Sequence, residues 1–336
     1  MEQQKNDRPL VEVRHLKKYF PIPGKGQLHA VDDVSFTINR GETLGLVGES
    51  GCGKSTVGNV LLQLHDRTDG EMYLDGEDVF AHKATHHDFC KKIQMIFQDP
   101  YSSLNPRKTV KDILSEPYLI HKIAKKGPEL DKLLEDLCET VGLSHDLLNH
   151  YPHELDGGMR QVVGIARALS LDPSFIVCDE PVSALDVSVQ AKIINLLMDL
   201  QKERQLSYLF VSHDLSVVRH ISNRIAVMYL GQIVEMADTD EIFANAQHPY
   251  TIALLSAIPK VSRQKVDRIV LKGDVPSPVN PKPGCRFAPR CWMARPECSA
   301  MTECPELTEV APGHLVRCPF AAQSRKAAES TRTSSL

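Results

Sequence analysis

The stretch GESGCGKST, residues 48–56, decides the fold of this chain. Gly48 and Gly53 bracket four residues, and Lys54 and Ser55 follow at once. Glycines let the backbone turn tightly, so successive N–H groups can surround an anion. The lysine would contact β- and γ-phosphates, and the serine hydroxyl would ligate Mg²⁺. The motif therefore predicts a nucleotide triphosphate site formed by Gly48, Glu49, Ser50, Gly51, Cys52, Gly53, Lys54, Ser55 and Thr56.

The flanks of this motif favour a phosphate-binding loop over a chance glycine-rich turn. TLGLVG, residues 43–48, has the apolar content of a short buried strand, and STVGNVLLQL, residues 55–64, that of a helix with an apolar face. A strand, a glycine-rich loop and a helix N-terminus in this order make up a P-loop, and the helix N-terminus adds its own attraction for anions.

A second stretch, FIVCDE at residues 175–180, is an apolar strand that ends in two acids. In a P-loop ATPase the first acid, Asp179, would hold the Mg²⁺ shell, and the second, Glu180, would polarise the attacking water. Taken alone, the same residues fit a buried strand with acids at its solvated end. The P-loop upstream favours the catalytic interpretation.

Two glycines open a predicted helix in ELDGGMRQVVGIARAL, residues 154–169, and expose free N–H groups there. Here the chain resembles the ATP-binding subunits of ATP-binding-cassette (ABC) transporters, in which this motif usually reads LSGGQ. The resemblance spans residues 11–258. It implies that Asp156, Gly157 and Gly158 contact the ATP held by a second subunit.

Other marks of this family follow in order. Gln98 resembles the glutamine that senses Mg²⁺ and contacts membrane subunits. SALD, residues 183–186 and ending in Asp186, resembles the loop that couples two active sites, and His213 resembles the switch histidine on the γ-phosphate. Phe20, or its neighbour Tyr19, resembles the aromatic residue that stacks on adenine. Each has a structural alternative, since Gln98 could cap a strand end, His213 could be a structural histidine and the aromatics could pack an edge strand.

Composition restricts the class of protein. The 336 residues allow one large or two ordinary domains, and with 42% hydrophobic and 24% charged residues the chain is globular in type. A net charge of −4 argues against nucleic acid as a partner. No run approaches the roughly 18 apolar residues that span a bilayer, and the polar start MEQQKNDRP is no secretory signal. The chain is therefore expected in the cytoplasm, with its nine cysteines as reduced thiols or metal ligands.

The expected architecture is α/β: a P-loop NTPase ABC cassette with a mainly parallel core sheet, an antiparallel β layer and an inserted helical subdomain. Alternating strand and helix signals support the parallel sheet, and apolar positions at helical spacing in DKLLEDLCETVGL, residues 131–143, support the insertion. We expect the cassette at residues 1–258 and its helical subdomain at about 99–165. A small irregular Pro- and Cys-rich extension would occupy 259–321, and a disordered tail 322–336.

Five cysteines fall between residues 285 and 318 with the spacing C-x5-C-x6-C-x5-C-x13-C. This matches neither zinc knuckles nor ferredoxin patterns, so a metal, a cluster and buried free thiols all stay open. HPYT, GDVPSP and GC-x5-C-x6-C followed by VRC resemble the C-terminal extension of ATPases from oligopeptide and dipeptide importers, some of which carry a 4Fe-4S cluster. The resemblance implies ligands at Cys285, Cys291, Cys298 and Cys318, with Cys304 extra and zinc as the alternative.

Asp156 departs from the family pattern, which has serine there, and Met159 stands where glutamine is usual. A carboxylate cannot donate a hydrogen bond to the γ-phosphate unless it is protonated, and like charges 4 Å apart repel by about 1 kcal/mol in water and about 4 at an effective dielectric near 20. One interpretation is an impaired motif in a heterodimer, whose other subunit supplies an intact motif. The other is that the glycine N–H groups suffice and Asp156 caps its helix.

The resemblance implies an ATPase coupled to transmembrane transport that powers import of di- and oligopeptides with ATP and Mg²⁺. Glu180 would act as base, Lys54 and His213 would contact the γ-phosphate, and Ser55, Gln98 and Asp179 would surround Mg²⁺. Expected partners are a second ATPase subunit, two membrane-spanning permease subunits and an extracellular or periplasmic substrate-binding protein. The chain would lie at the cytoplasmic face of the membrane, as a peripheral subunit. Alternatives are a nickel chelate, glutathione or oligosaccharide as cargo, or a soluble ABC ATPase outside transport.

Overall fold

The computed structural model describes residues 8–80, 86–258 and 268–323, with the backbone alone at 86, 87 and 100. The chain divides into two compact units. The helix-bearing unit comprises the described residues up to Glu12, Thr37–Thr43 and Tyr73–Ser212, and the P-loop unit comprises Val13–Phe36, Leu44–Met72 and the residues from His213 onward. Most of the tail predicted at 322–336 lies outside the described residues.

Twelve strands are present in the described part of the chain. In chain order they are β1 (Val11–Ile22), β2 (Gly26–Ile38), β3 (Thr43–Val47), β4 (Asp69–Leu74), β5 (Glu77–Asp78), β6 (Ile93–Ile96), β7 (Phe175–Asp179), β8 (Ser207–Ser212), β9 (Arg224–Tyr229), β10 (Gln232–Asp238), β11 (Thr308–Ala311) and β12 (His314–Val316).

Eleven α-helices are present in the same ranges, together with short 3-10 turns. They are α1 (Lys54–Leu61), α2 (His86–Lys92), α3 (Pro100–Ser103), α4 (Val110–Ile120), α5 (Pro128–Val141), α6 (Gly157–Leu169), α7 (Val187–Arg204), α8 (Leu215–Ile221), α9 (Thr239–Asn245), α10 (Pro249–Ser256) and α11 (Pro296–Ala300).

In the helix-bearing unit, β6, β7 and β8 form a parallel ladder in this order. β7 is buried along its whole length, which explains the continuous apolar run FIVC. Four helices, α3 to α6, stand between β6 and β7 in the sequence. Local signals set their ends: Thr109 and Asp112 form a capping box at the start of α4, and Gly142 in the left-handed conformation ends α5.

In the P-loop unit, β3 pairs in parallel with β9, and β9, β10, β12 and β11 continue as an antiparallel series. Strands β2, β1 and β4 are hydrogen-bonded neighbours in this order and belong to a separate sheet. The α/β class, the parallel core strands and the antiparallel layer predicted from the sequence are therefore confirmed.

Two details differ from the sequence-based expectations. The helix predicted at 55–64 ends at Leu61, since Gln63 has φ of 56°. The extension predicted to be irregular contains the short helix α11 and the hairpin β11–β12, which adds to β10 through Glu235 opposite Val316. The alternation of TEVA and HLV around Pro312–Gly313 was the missed signal for this hairpin.

Candidate functional site

The predicted P-loop connects the buried strand β3 to helix α1. Gly53 caps the helix with φ of 107°, and a Cβ atom there would lie 2.0 Å from the carbonyl oxygen of Ala30, so only glycine fits. Lys54 is buried, and its Nζ donates to the carbonyl oxygens of Gly48 at 2.9 Å and Glu49 at 3.0 Å. These bonds hold the ammonium group across the loop whose N–H groups would face phosphate.

Neighbouring elements fix the backbone of this loop. The N–H of Glu49 donates to the hydroxyl of Tyr250 at 2.9 Å, and the N–H of Gly231 donates to the carbonyl oxygen of Cys52 at 2.8 Å. Cys52 is buried, which raises the pKa of its thiol. A loop held in this way needs little reorganisation to receive a phosphate group, because its conformation is fixed before binding.

Of the two candidate adenine-stacking residues, Tyr19 has its ring occupied. It stacks on His29 with ring centroids 3.9 Å apart, and its hydroxyl donates to Asp32. Burial and the bond to Asp32 raise the pKa of Tyr19 well above its usual value. Phe20 contacts His65 edge-on, with ring centroids 5.5 Å apart, and the ammonium group of Lys18 lies 4.7 Å from the centroid of its ring.

In the helix-bearing unit, the structure brings Gln98 to the predicted base. Gln98 follows β6, and its side-chain amide donates to a carboxylate oxygen of Glu180 at 2.9 Å. Glu180 directly follows β7 and takes a left-handed conformation with φ of 45°, while its N–H donates to the carbonyl oxygen of Val211 at 2.9 Å. Asp179, one residue earlier, is buried at the strand end. The geometry sets two acids and an amide at one end of β7.

The glycine pair opens α6 as the sequence predicts. Asp156 is the N-cap residue, and its carboxylate accepts a 2.7 Å hydrogen bond from the N–H of Met159. A Cβ atom on Gly158 would lie 2.7 Å from the side chain of Val189, so the start of α6 packs closely against the start of α7. The capping interpretation of Asp156 describes its contacts in this chain.

Asp186 caps α7 in the same manner as Asp156 caps α6. Its carboxylate accepts from the N–H groups of Ser188 at 3.1 Å and Val189 at 3.0 Å, and from the Ser188 hydroxyl at 2.7 Å. These hydrogen bonds lower the pKa of Asp186, and the bond from the Ser188 hydroxyl has the largest effect. The starts of α6 and α7, each capped by an aspartate, are therefore packed against each other.

His213 is exposed immediately after β8 and belongs to the P-loop unit, as do the P-loop and Phe20. Gln98, Asp179, Glu180, Asp156 and Asp186 belong to the helix-bearing unit. The structure thus assembles the predicted nucleotide-binding loop in one unit and the predicted acids and signature motif in the other.

The four cysteines implied as ligands line one small cavity in the P-loop unit. The cavity is small, with a volume of about 20 Å³. Burial raises the pKa of Cys285 to about 12 and of Cys291 to about 11, so both are protonated at neutral pH and metal binding would release protons. Cys304 is not part of this lining, and its thiol donates to the side-chain oxygen of Gln232 at 3.1 Å.

Cys285, Cys291, Cys298 and Cys318 share an otherwise mainly apolar lining. Within the described ranges no three His, Cys, Asp or Glu side chains converge closely enough for a single metal ion. All nine cysteines are free thiols. A helix of the length and hydropathy needed to cross a bilayer is not found in the part of the chain that the structure describes.

Sequence reasoning missed one contact of the predicted site: Glu49 in the P-loop forms an ion pair with Arg290. The two residues are 241 positions apart, and no sequence motif described above contains both of them. No sequence signal predicts the pair.

Two family matches cover most of the regions just described. Residues 31–183 match the family described as ABC transporter. Residues 234–298 match the family described as oligopeptide/dipeptide transporter, C-terminal region. The first match spans the P-loop and the acids of β7, and the second contains three of the five clustered cysteines.

Curated relatives are similar along nearly the full chain. The oligopeptide transport ATP-binding protein AppF of Bacillus subtilis is 49% identical over 324 residues, covering 93% of this chain and 98% of its own. The putative oligopeptide transport ATP-binding protein YkfD of the same organism is 51% identical, covering 92% and 95%. The dipeptide transport ATP-binding protein DppF of Haemophilus influenzae is 48% identical, covering 94% and 97%.

Solved structures show the same fold. The dimeric ATP-binding cassette MJ0796, in a post-hydrolysis state with ADP and phosphate, matches with a TM-score of 0.62 at 30% identity, covering 68% of this chain and 98% of its own. CbiO1 from Clostridium perfringens, part of an ABC transporter complex, matches with a TM-score of 0.62 at 24% identity, covering 73% and 94%. The latter supports the fold alone.

Proposed function

The chain belongs to the ATP-binding proteins of oligopeptide and dipeptide ABC transporters, and from this premise we propose that it hydrolyses ATP to power the import of di- and oligopeptides. The observation that carries the proposal is the identity of about half of all residues, over more than nine tenths of both chains, with AppF and DppF. The match to the C-terminal region of such transporters agrees with it.

The proposed nucleotide chemistry assigns one role to each site residue. The P-loop N–H groups and Lys54 hold the β- and γ-phosphates, while Ser55 and Asp179 surround Mg²⁺, which supplies charge neutralisation on the phosphates. Glu180 polarises the attacking water. The bond from Gln98 to Glu180 supports this role, because an amide donor orients the carboxylate without giving it a proton.

The remaining site residues are proposed to act at the γ-phosphate and between two cassettes. His213 would contact the γ-phosphate, and Phe20 would stack on adenine. Asp156, Gly157 and Gly158 would face the ATP of a second ATPase subunit, in keeping with the dimeric MJ0796 cassette. The N–H groups at the start of α6 would supply the donors, because the carboxylate of Asp156 is engaged with Met159.

Two membrane-spanning permease subunits are the proposed partners that convert hydrolysis into transport, together with a substrate-binding protein outside the membrane. The chain would then lie as a peripheral subunit at the cytoplasmic face. We keep 1–258 as the cassette, with its helical subdomain at about 99–165, and 259–321 as the accessory segment. In the described structure that segment packs in the P-loop unit.

We further propose that Cys285, Cys291, Cys298 and Cys318 hold a 4Fe-4S cluster. Their common cavity and its mainly apolar lining support this assignment. The cluster would supply a cross-link through iron–thiolate bonds, and the chain would supply the four thiols and the apolar shell. Zinc on the same thiols is the alternative outcome.

The experiment that tests the proposed function reconstitutes the complex with its cognate membrane subunits in vesicles. We expect ATP hydrolysis that rises when the peptide-loaded binding protein is added, together with accumulation of labelled peptide. The matched control replaces this chain by its Lys54→Ala variant in the same complex. A complex that hydrolyses ATP normally and responds to another cargo, but transports no peptide, would reject the proposed substrate class.

A further inference from the structure

The second residue of the P-loop, Glu49, is held by a residue of the C-terminal segment. Nη1 of Arg290 lies 2.7 Å from one carboxylate oxygen of Glu49, and Nη2 lies 3.1 Å from the other. The Arg290 side chain is 9% exposed and that of Glu49 29%. This two-pronged geometry is the strong form of an ion pair, because both guanidinium prongs are used at once.

The backbone around Arg290 is held by a 3-10 turn and by the packing of a neighbouring aromatic ring. Arg290 ends this turn, in which the N–H of Ala288 donates to the carbonyl oxygen of Cys285 at 3.1 Å. Phe287 beside it is buried and packs on Tyr229 and Tyr250, with ring centroids 5.2 and 5.4 Å apart. The position of the guanidinium is therefore fixed by the fold of the segment.

Tyr250 provides a second connection between the P-loop and the segment that carries Phe287 and Arg290. Its ring packs on Phe287, and its hydroxyl accepts the 2.9 Å hydrogen bond from the N–H of Glu49. The backbone and the side chain of Glu49 are thus both held by residues beyond position 248. The P-loop motif alone does not fix the conformation of this residue.

A carboxylate in a loop that receives polyphosphate is unfavourable unless its charge is offset. Like charges repel more strongly where water is partly excluded. An arginine guanidinium stays charged under all ordinary conditions. The pair therefore carries no net charge next to the phosphate-binding N–H groups.

We propose that Arg290 is a positioning residue of the nucleotide site, which orders the P-loop through Glu49 and cancels the charge of that carboxylate. Nucleotide affinity then depends on the folded state of the C-terminal segment from Cys285 to Cys291. The inference rests on the proposed function only in taking the P-loop to bind nucleotide.

The test measures dissociation constants of ATP, ADP and AMP by calorimetry on the purified full chain. The variants are Arg290→Met, Glu49→Gln and the double variant. Arg295→Met is the matched control, since the described contacts of Arg295 are Phe320 and Gln323. Thermal melts establish that each variant is folded.

We expect Arg290→Met to weaken ATP binding about tenfold. Without Arg290, the uncompensated carboxylate of Glu49 would repel the phosphates of ATP, and solvent would screen this repulsion only in part. The loss should decrease from ATP to ADP to AMP and shrink at high salt, because it scales with phosphate charge. In the Glu49→Gln background the same substitution should cost much less, which a double-mutant cycle measures as coupling. Arg295→Met should bind like the wild type.

Equal losses in both backgrounds, or equal losses for ATP and AMP, would overturn the proposal and leave a packing contact only. Should Arg290→Met not fold, Arg290→Lys repeats the cycle with the charge kept and the fork removed, and a smaller coupling of the same sign is expected. Absence of coupling in that cycle also overturns it. A wild-type chain that binds no nucleotide contradicts the proposed function instead.

Discussion

The side-chain amide of Gln98 donates a 2.9 Å hydrogen bond to the carboxylate of Glu180, although 82 residues separate them in the chain. The bond joins the second residue after β6 to the first residue after β7, and these two parallel strands are neighbours. It orients the carboxylate, and the left-handed backbone conformation of Glu180 sets where its side chain begins. The two constraints together hold the proposed general base in place before any substrate arrives.

Glu180→Gln should retain ATP binding and lose turnover by at least about a hundredfold, the scale of a general base. The substitution keeps the shape of the side chain and removes only its ability to polarise water. Steady-state ATPase of the assembled complex, with ATP affinity measured separately, checks it. Glu203→Gln, at an exposed position of α7, is the control. Near-normal hydrolysis by Glu180→Gln would reject the assignment.

Gln98→Ala should lower kcat about tenfold while the KM for ATP changes less, because the lost bond orients the base and does not bind nucleotide. Gln94→Ala is the control, on the strand β6 that precedes Gln98, since the side-chain amide of Gln94 bonds only to the backbone oxygen of Cys90 in the described contacts. ATPase assays at several ATP concentrations separate the two parameters. A rise in KM with unchanged kcat would place Gln98 in nucleotide binding instead.

Asp156→Ser should leave stability nearly unchanged, because serine is an equally good N-cap, whereas Asp156→Ala should cost about 1 kcal/mol. Denaturant unfolding of the full chain measures both. We expect ATPase activity of the complex to change little with serine. A several-fold rise would support the impaired-motif interpretation, and a sharp loss of transport would contradict both interpretations.

Many residues of the candidate nucleotide site could be predicted from the sequence, because they fall in short contiguous motifs. The P-loop and the acids after β7 each need a few adjacent residues on a strand end, and such local patterns survive without knowledge of the fold. The capping of α6 by Asp156 could also be predicted from the sequence, since it depends on a residue only three positions away.

Contacts between distant segments could not be predicted in this way. Arg290 reaches Glu49 across 241 positions, and the hairpin β11–β12 pairs with β10, more than 70 positions earlier in the chain. Each of these residues has an ordinary local surrounding in the sequence. Their partners are set by long-range packing and strand pairing, which single-sequence patterns do not encode.

Cys298→Ser should abolish the colour of anaerobically purified chain, while Cys304→Ser should leave it largely intact. Wild-type chain is expected to be brown, with broad absorbance near roughly 400 nm and about four irons per chain, because thiolate-bound iron–sulfur clusters absorb there. Elemental analysis and absorption spectra check it. One zinc per colourless chain would replace the cluster by a zinc site, and metal-free folded chain would leave buried thiols.

The buried ion pair between His314 and Glu235 should make stability pH-dependent. Burial opposes the charged ring, but the hydrogen bond and charge of Glu235, with those of Glu241, outweigh it and raise the pKa of His314. A raised pKa stabilises the fold fully below the ordinary value near 6.5, and this contribution is lost as pH rises through the folded value. The pair joins β12 to β10.

His314→Gln should therefore lower Tm by a few degrees at pH 6 and by less at pH 9, in proportion to the charge lost. Thermal melts at both pH values measure the difference. His220→Gln, at an exposed position of α8, should show no such dependence. An equal loss at both pH values would mean that His314 acts through packing alone.

The hairpin β11–β12 has a consequence for how this protein avoids self-association. Without it, β10 would present seven residues of nearly fully buried strand as an open edge, a template for pairing with other chains. The hairpin converts β10 into an interior strand and leaves four-residue β11, with exposed Thr308 and Glu309, at the boundary of the series. A short edge that carries a charge is a poor template, so the C-terminal segment also disfavours pairing of this sheet edge with a strand of another chain.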